Sequence, residues 1–308
     1  MKKSLVMATY NGEKYIQEQL QSLLNQTLPL DEVLIFDDGS TDETVKCVQA
    51  FISENKLSTW KISQNEKNKG YARNFLDGIL QATGEIVFLC DQDDIWLNHK
   101  VEIMSEAMEN PMIEVLSSNY KPKVAKEMDI KSKVFYQLEY LFQKRNGKEQ
   151  KVDFEKRGLF SGAPGWTICV RKSFVEEIIP YFTSDFSHDG LLCSFSAARG
   201  TYHHINKVTG LFRRYPESTT SYKQKVSTMQ RESDLSTLYL NRVLKIQEFL
   251  LERNQSSKTL EKQGNYFAQR RTYIQDKSLM KLFGISKYWS KVNNIWAIKD
   301  LFYFVNLL

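Results

Sequence analysis

The chain has 308 residues, 42% of them hydrophobic, 12% aromatic and 26% charged, with a formal net charge of +5. Those proportions exclude disordered and fibrous classes and suit one large α/β domain with an appended piece. Four cysteines, Cys47, Cys90, Cys169 and Cys193, stand far apart without a C-x-x-C pair, which argues against a zinc ribbon or disulfide framework and for a reducing, cytoplasmic setting.

Lys2 and Lys3 precede an apolar run that stops at Tyr10-Asn11-Gly12-Glu13. It is too short for a signal peptide and reads as a first strand, Leu5–Tyr10. Asn11 then caps a helix to about Asn25. Val33–Phe36 reads as the second strand, after which Ser40 and Glu43 form a capping box for a helix to about Glu54. Trp60–Ser63 is a third strand, Tyr71–Gln81 a helix, Ile86–Cys90 a fully apolar fourth strand, Lys100–Glu109 a helix and Val115–Ser118 a fifth strand. This alternation is the signature of βαβ units and a parallel sheet, in which ligands bind at the carboxyl ends of the strands. Residues 121–157 are polar and charged and read as connecting structure or an insertion near an acceptor side. A helix is expected over Ser187–Arg199 and extended chain over Tyr202–Arg214. From about Ser227, Leu235, Leu238, Tyr239, Val243, Ile246, Phe249 and Leu250 recur at helical intervals, which sets a boundary near residue 225. No stretch approaches the ~18 apolar residues that would span a bilayer.

Polar residues close each early strand: Ala8-Thr9-Tyr10-Asn11, Asp37-Asp38-Gly39-Ser40, Asn65 leading to Asn68-Lys69-Gly70, and Asp91-Gln92-Asp93-Asp94. In extended backbone Asp91 and Asp93 share a face while Asp94 points elsewhere. Two carboxylates on one side suit Mg²⁺ or Mn²⁺, which takes one or two of them and completes its shell with phosphates and water; the same run also suits an acidic cap on the next helix. Asp37 and Asp38 can cap the helix after them or accept the ring N–H of uracil or thymine. Arg73, in the first turn of its helix, is suited to phosphate. His188-Asp189 opens a helix, where a carboxylate serves as a cap or as a general base. Trp166 follows the turn-rich Ser161-Gly162-Ala163-Pro164-Gly165 and either walls an acceptor site or fills core.

Taken in order, T-Y-N-G-E at Thr9–Glu13, D-D-G-S at Asp37–Ser40, N-K-G-Y-A-R-N at Asn68–Asn74, D-Q-D-D at Asp91–Asp94 and H-D at His188–Asp189 resemble the family-2 glycosyltransferases of bacterial surface-polysaccharide and glycan synthesis. The resemblance covers roughly residues 3–215. It implies the GT-A fold, a Rossmann-like, mainly parallel sheet flanked by helices. Residues 1–225 would be the catalytic domain, with a nucleotide-sugar half to about 120 and an acceptor half from about 121, and 226–308 a basic, aromatic-rich helical extension. Thr9, Tyr10, Asn11 and Glu13 would line the nucleotide pocket. Asp38 would bind the base with Asp37 beside it, Arg73 would lie near the phosphates, and Asn68, Gly70, Asp91 and Gln92 would complete the donor side. Asp91 and Asp93 would hold Mn²⁺ or Mg²⁺, Asp189 would be the catalytic base of an inverting displacement, and Asp94, Trp96, Trp166 and His188 would face the acceptor.

The donor implied is a UDP-hexose, with dTDP-rhamnose the next choice, and the acceptor a glycan, lipid-linked oligosaccharide or glycoprotein; no nucleic acid is expected. One departure stands out. Many bacterial relatives carry a Y-R-x-H-like segment after the base, whereas this chain reads Leu211-Phe212-Arg213-Arg214-Tyr215-Pro216-Glu217-Ser218 with no histidine, which puts a third protein metal ligand in doubt and leaves Arg213 or Arg214 to contact the diphosphate instead. In the tail, Lys277, Lys281, Lys287, Lys291 and Lys299 alternate with Trp289, Trp296, Phe302, Tyr303 and Phe304. That mixture suits peripheral attachment to the inner face of the cell membrane, packing on the catalytic domain, or a homodimer contact. The rival from another class is a catalytically silent, nucleotide-sugar-binding scaffold; the retained Asp91, Asp93 and Asp189 argue against it.

Overall fold

The computed structural model describes residues 1–141, 143, 146–216, 229–276, 278–292 and 297–301. In chain order its elements begin β1 (Lys3–Thr9), α1 (Ile16–Leu24), β2 (Glu32–Asp37), α2 (Thr44–Glu54), β3 (Trp60–Gln64), α3 (Tyr71–Gln81) and β4 (Ile86–Asp91). They continue with β5 (Ile95–Trp96), α4 (Lys100–Ala107), β6 (Val115–Val124), α5 (Ile130–Leu141), β7 (Glu149–Lys151), α6 (Phe154–Arg157), β8 (Ile168–Arg171) and α7 (Lys172–Ile178). Last come α8 (His188–Arg199), β9 (Tyr202–Arg214), α9 (Met229–Leu251), α10 (Lys258–Asp276) and α11 (Leu279–Ser286). The chain divides into two compact units: Met1–Lys151, Ala163–Ile179 and Thr201–Lys223 form the first, and Val152–Gly162, Pro180–Gly200 and Gln224–Leu308 the second. In this division α8, with Asp189, groups with the C-terminal helices.

The first unit is built on one sheet in the order β3-β2-β1-β4-β8-β6-β9-β5, with β7 also on β9. β3, β2, β1 and β4 are all parallel, so their carboxyl ends share one edge. Beyond β4 the sheet turns mixed: β8 runs antiparallel to β4 and β6, β6 runs parallel to β9, and β5 and β7 run antiparallel to β9. Helices cover both faces of a parallel sheet, so its central strands read as unbroken apolar runs; Leu5, Val6 and Met7 of β1 and Ile86 to Cys90 of β4 are wholly buried. α1 buries Ile16, Gln19, Leu20 and Leu23, the three-and-four spacing of one helical face.

Two expected caps do not form. α1 starts after Tyr15 with no side-chain cap, and Asn11 instead takes positive φ and accepts the Thr41 N–H at 2.9 Å. α2 starts after Glu43, likewise uncapped, because the Ser40 hydroxyl is committed to Asp37 Oδ2 at 2.5 Å. Asn11 thus binds across to the end of β2, while the Ser40 hydroxyl donates back to the end of its own strand and accepts the Asn11 N–H from β1. Within 121–157 lie the end of β6, α5, β7 and α6.

In the second unit α9 packs on α10, with Val243, Ile246, Phe249, Leu260, Tyr266 and Phe267 buried and Tyr239 stacked on Phe267 at 5.1 Å. A fully buried Arg270 meets Asp300 at 2.6 Å and Glu232 at 3.0 Å, and Tyr266 donates to Asp300 Oδ2 at 2.6 Å, so the interior charges are paired and hydrogen-bonded. Trp289 also donates to Asp300, at 3.2 Å. Glu217, Ser218, Lys277, Trp296, Phe302, Tyr303 and Phe304 lie outside the described residues, and no described helix is long and apolar enough to cross a membrane.

Candidate active site

The register of the parallel strands brings the polar termini together. Thr9 of β1 stands opposite Asp37 of β2, Asp37 opposite Gln64 of β3, and Ala8 opposite Asp91 of β4. Thr9 Oγ1 donates to Asp37 Oδ2 at 2.9 Å, and Asp37 Oδ1 accepts the Ser40 N–H at 2.8 Å and Gln64 Nε2 at 3.2 Å. The Gln92 amide bonds Tyr10 twice, accepting its N–H at 2.9 Å and donating to its carbonyl at 3.0 Å. The Asn11 N–H donates to Ser40 Oγ at 2.8 Å, and Glu13 accepts the Glu43 N–H at 2.9 Å.

Asp38 is buried and organises the turn before α3. Its Oδ1 accepts Asn65 Nδ2 at 2.9 Å and the Lys69 N–H at 2.8 Å, and its Oδ2 accepts the Gly70 N–H at 2.9 Å. Gly70 sits at φ +80°, a region that strains a side-chain-bearing residue. Asn68 Nδ2 closes the turn on the Asp38 carbonyl at 3.1 Å. Neither Asp37 nor Asp38 caps α2; a base N–H reaching Asp38 would join oxygens that already accept backbone donors. Arg73 is half exposed and paired with Asp77 at 2.7 Å.

The Asp91–Asp94 loop is clamped by the end of β9. Tyr215 Oη donates to Asp93 Oδ2 at 2.6 Å, Arg213 Nε donates to the Asp93 carbonyl at 2.7 Å, and the Arg213 N–H donates to Asp94 Oδ1 at 2.9 Å. The Arg213 guanidinium lies 4.6 Å over Tyr15 and pairs with Glu18, which Lys123 also meets at 2.6 Å. Burial alone would raise Glu18, but these two cations hold it below its usual value. Arg214 is buried with its guanidinium 3.4 Å over Phe212. Of the two arginines, one of which is expected at the diphosphate, Arg213 fastens the acidic loop and Arg214 packs in the interior. Sequence reasoning assigned no role to Tyr215, although the Arg213-Arg214-Tyr215 spacing at the end of a strand was its signal.

Three expected acceptor contacts belong to the core. Trp96 and Trp166 are essentially unexposed, packed against Phe88, Tyr120 and Phe212, because β5 and the turn before β8 pull both indoles under the sheet. Between them lies Lys100, fully buried, with its ammonium 4.1 and 4.7 Å from the two rings and 2.6 Å from the Trp166 carbonyl. Burial brings Lys100 down to about 7. Asp94 is likewise fully buried, its Oδ2 without a hydrogen-bond partner among the described residues; burial first, then Asp93 and Asp91, pushes it well above the usual carboxylate range.

Asp91 and Asp93 are the carboxylates left at the strand edge. Among the described residues no group of three or more His, Cys, Asp or Glu is arranged to hold a metal. A pair of carboxylates nonetheless fits a hard divalent cation whose remaining positions are taken by phosphate oxygens and water. Gln92, the residue between them, is held by its two bonds to Tyr10.

In the second unit, Ser187 caps α8, its Oγ accepting the Gly190 N–H at 3.2 Å. The cap is therefore Ser187 and not Asp189. Asp189 lies in the first turn, half-buried, with Oδ1 accepting the Gly190 N–H at 2.8 Å. His188 is buried, which lowers its imidazole below the ordinary value despite the pull of Asp189.

The sequence profile of Glycosyl transferase family 2 matches residues 4–178, more than half the chain. The chain belongs to that family. Within it, the poly(ribitol-phosphate) beta-N-acetylglucosaminyltransferase TarS of Staphylococcus aureus (strain Mu50) is 40% identical over 96 residues, 30% of this chain and 16% of TarS. The dTDP-rhamnosyl transferase RfbG of Shigella flexneri is 28% identical over 224 residues, 68% of this chain and 71% of RfbG. The crystal structure of S. aureus TarS 1–349 in complex with UDP superposes with a TM-score of 0.63 at 19% identity, covering 99% of this chain and 89% of that one. The mannosyltransferase PcManGT of Pyrobaculum calidifontis, in complex with GDP-Man and Mn²⁺, superposes with a TM-score of 0.55 at 16% identity over 94% and 73% of the two chains. These likenesses establish the GT-A fold.

Proposed function

We propose that this family-2 glycosyltransferase moves a hexose from a pyrimidine-nucleotide diphosphate sugar to a hydroxyl of a glycan, lipid-linked oligosaccharide or glycoprotein, inverting the anomeric centre. The observation that carries the reading is the in-register convergence of Thr9, Asp37, Asp38, Gln92 and the Asp91/Asp93 pair at the carboxyl edge of β1, β2 and β4. That edge is where open α/β sheets bind nucleotides.

On this reading Asp38 accepts the base N–H, Thr9, Tyr10, Asn11 and Glu13 line the nucleoside, and Asn68, Gly70 and Arg73 lie toward the phosphates. Asp91 and Asp93 would hold Mn²⁺ or Mg²⁺, which neutralises charge on the departing diphosphate. Tyr215 and Arg213 keep the Asp93 segment in one conformation. Asp189 takes the proton from the acceptor hydroxyl as it attacks, and the preorganised loop supplies positioning.

A UDP-hexose donor is supported by the UDP complex of the related fold. A second donor, dTDP-rhamnose, is favoured by RfbG, whose name is that of a dTDP-rhamnosyl transferase and whose match extends over most of both chains. Incubation with Mn²⁺, candidate acceptors and UDP-glucose, UDP-N-acetylglucosamine or dTDP-rhamnose, read as nucleoside diphosphate release, tests the proposal. Release from one donor that Asp189→Asn slows by ~10²–10⁴-fold is the expected result; release from none would sink it.

A further inference from the structure

Helix α5 is built inside out. The helical period brings Ile130, Val134, Leu138 and Leu141 to one side, and these side chains are 78, 51, 46 and 54% exposed. Phe135, at the edge of the same arc, is exposed as well, while among the described residues α5 buries Ser132 and Tyr136. A surface helix ordinarily turns its apolar stripe to the core, and a contiguous apolar patch in water marks an interaction face.

The surrounding charge selects the occupant. Residues 121–151 carry nine Lys/Arg against four Asp/Glu, a surplus as large as the whole chain's +5. Lys121, Lys126 and Lys131 are exposed, and Lys133 donates to the Lys126 carbonyl at 2.7 Å, folding the start of the helix against its lead-in. A second copy laid on this face would set lysine against lysine. An acidic polymer would satisfy the lysines and leave four aliphatic side chains in water. A lipid surface with anionic headgroups satisfies both, taking the aliphatic side chains into the acyl boundary and the ammonium groups to phosphates.

We propose that α5, flanked by Lys126 and Lys131, is a docking face for an anionic phospholipid surface, with the helix lying in the plane of the interface. None of these residues belongs to the strand-edge cluster, so the proposal stands apart from the glycosyl-transfer reading. It also differs from the tail attachment expected from the sequence.

Cosedimentation of the full chain with phosphatidylcholine vesicles, with and without phosphatidylglycerol, tests it. The variants are Val134→Asp/Leu138→Asp and Lys126→Glu/Lys131→Glu, all at exposed or half-exposed positions, with thermal melts and donor-sugar binding confirming that fold and strand-edge site are intact. The wild type is expected to pellet with phosphatidylglycerol vesicles alone, less so as salt rises, and each double variant to lose roughly tenfold or more in partitioning. A wild type that stays in the supernatant, or an aspartate variant that partitions like wild type, would overturn the proposal. So would a dimer that the aspartate variant dissociates, which would assign the face to a second copy of the chain.

Discussion

Asp93 is held at both its carboxylate and its carbonyl, by Tyr215 and Arg213, and that grip lends itself to test. Burial and the neighbouring Asp93 raise the Tyr215 phenol, so it remains a donor. Tyr215→Phe keeps the ring against Tyr15 and removes the hydroxyl, and second-sphere losses of this kind cost ~10–100-fold in metal affinity. Mn²⁺ titration followed by electron paramagnetic resonance should show that weakening; unchanged affinity would mean that the hydroxyl does not orient the carboxylate. Asp189→Asn should lower kcat by ~10²–10⁴-fold with donor affinity unchanged in calorimetry, and a parallel loss of donor binding would assign Asp189 to the donor instead. Lys100 offers a pH signature. Its folded value is about 7 against ~10.4 for an unfolded lysine, so between those limits the unfolded state binds the extra proton and stability rises with pH. Denaturant midpoints between pH 7 and 8.5 should climb more steeply for wild type than for Lys100→Met, and parallel profiles would contradict the buried, near-neutral amine. At this scale the residue types at the strand ends were legible because polar runs follow the strands, three of them apolar: β1, β2 and β4. Their bonds were not: Ser40 and Asn11 look like caps in sequence, and only the neighbouring strand shows that they bond to each other across the strand ends, with the Ser40 hydroxyl turned back to Asp37.

The parallel half of the sheet and α3 at Tyr71–Gln81 follow directly from apolar periodicity. β5, β7 and β8 are two to four residues long, too short for any period to register, and they exist because long β9 and β6 offer edges to pair with. Trp166 reads as an acceptor wall for the same reason, since the turn-rich run before it conceals short β8 just behind it. β9 and β5 approach so closely at Gly210 that an added Cβ would fall 2.3 Å from the Trp166 ring and 3.0 Å from the Ile95 carbonyl. Gly210→Ala should therefore cost ~1–3 kcal/mol through overpacking, measured by urea denaturation; a variant as stable as wild type would show that the indole can yield. α5 escaped notice because its apolar residues are interleaved with lysines in a stretch whose overall polarity reads as a loop.

At the scale of the whole molecule, membership of glycosyl transferase family 2 and the GT-A likeness account for the strand edge. The grouping of α8 with the C-terminal helices rather than with the sheet has no sequence signal, because it depends on contacts between segments far apart in the chain. The central claim is that the edge formed by Thr9, Asp37, Asp38 and the Asp91/Asp93 pair binds a pyrimidine-nucleotide sugar with a divalent cation. Calorimetry of UDP-, dTDP- and GDP-sugars with and without Mn²⁺, on wild type and Asp93→Ala, addresses it most directly. The account predicts tight, Mn²⁺-dependent binding of one UDP- or dTDP-sugar that the substitution weakens; absence of binding by every donor, with or without Mn²⁺, would contradict it.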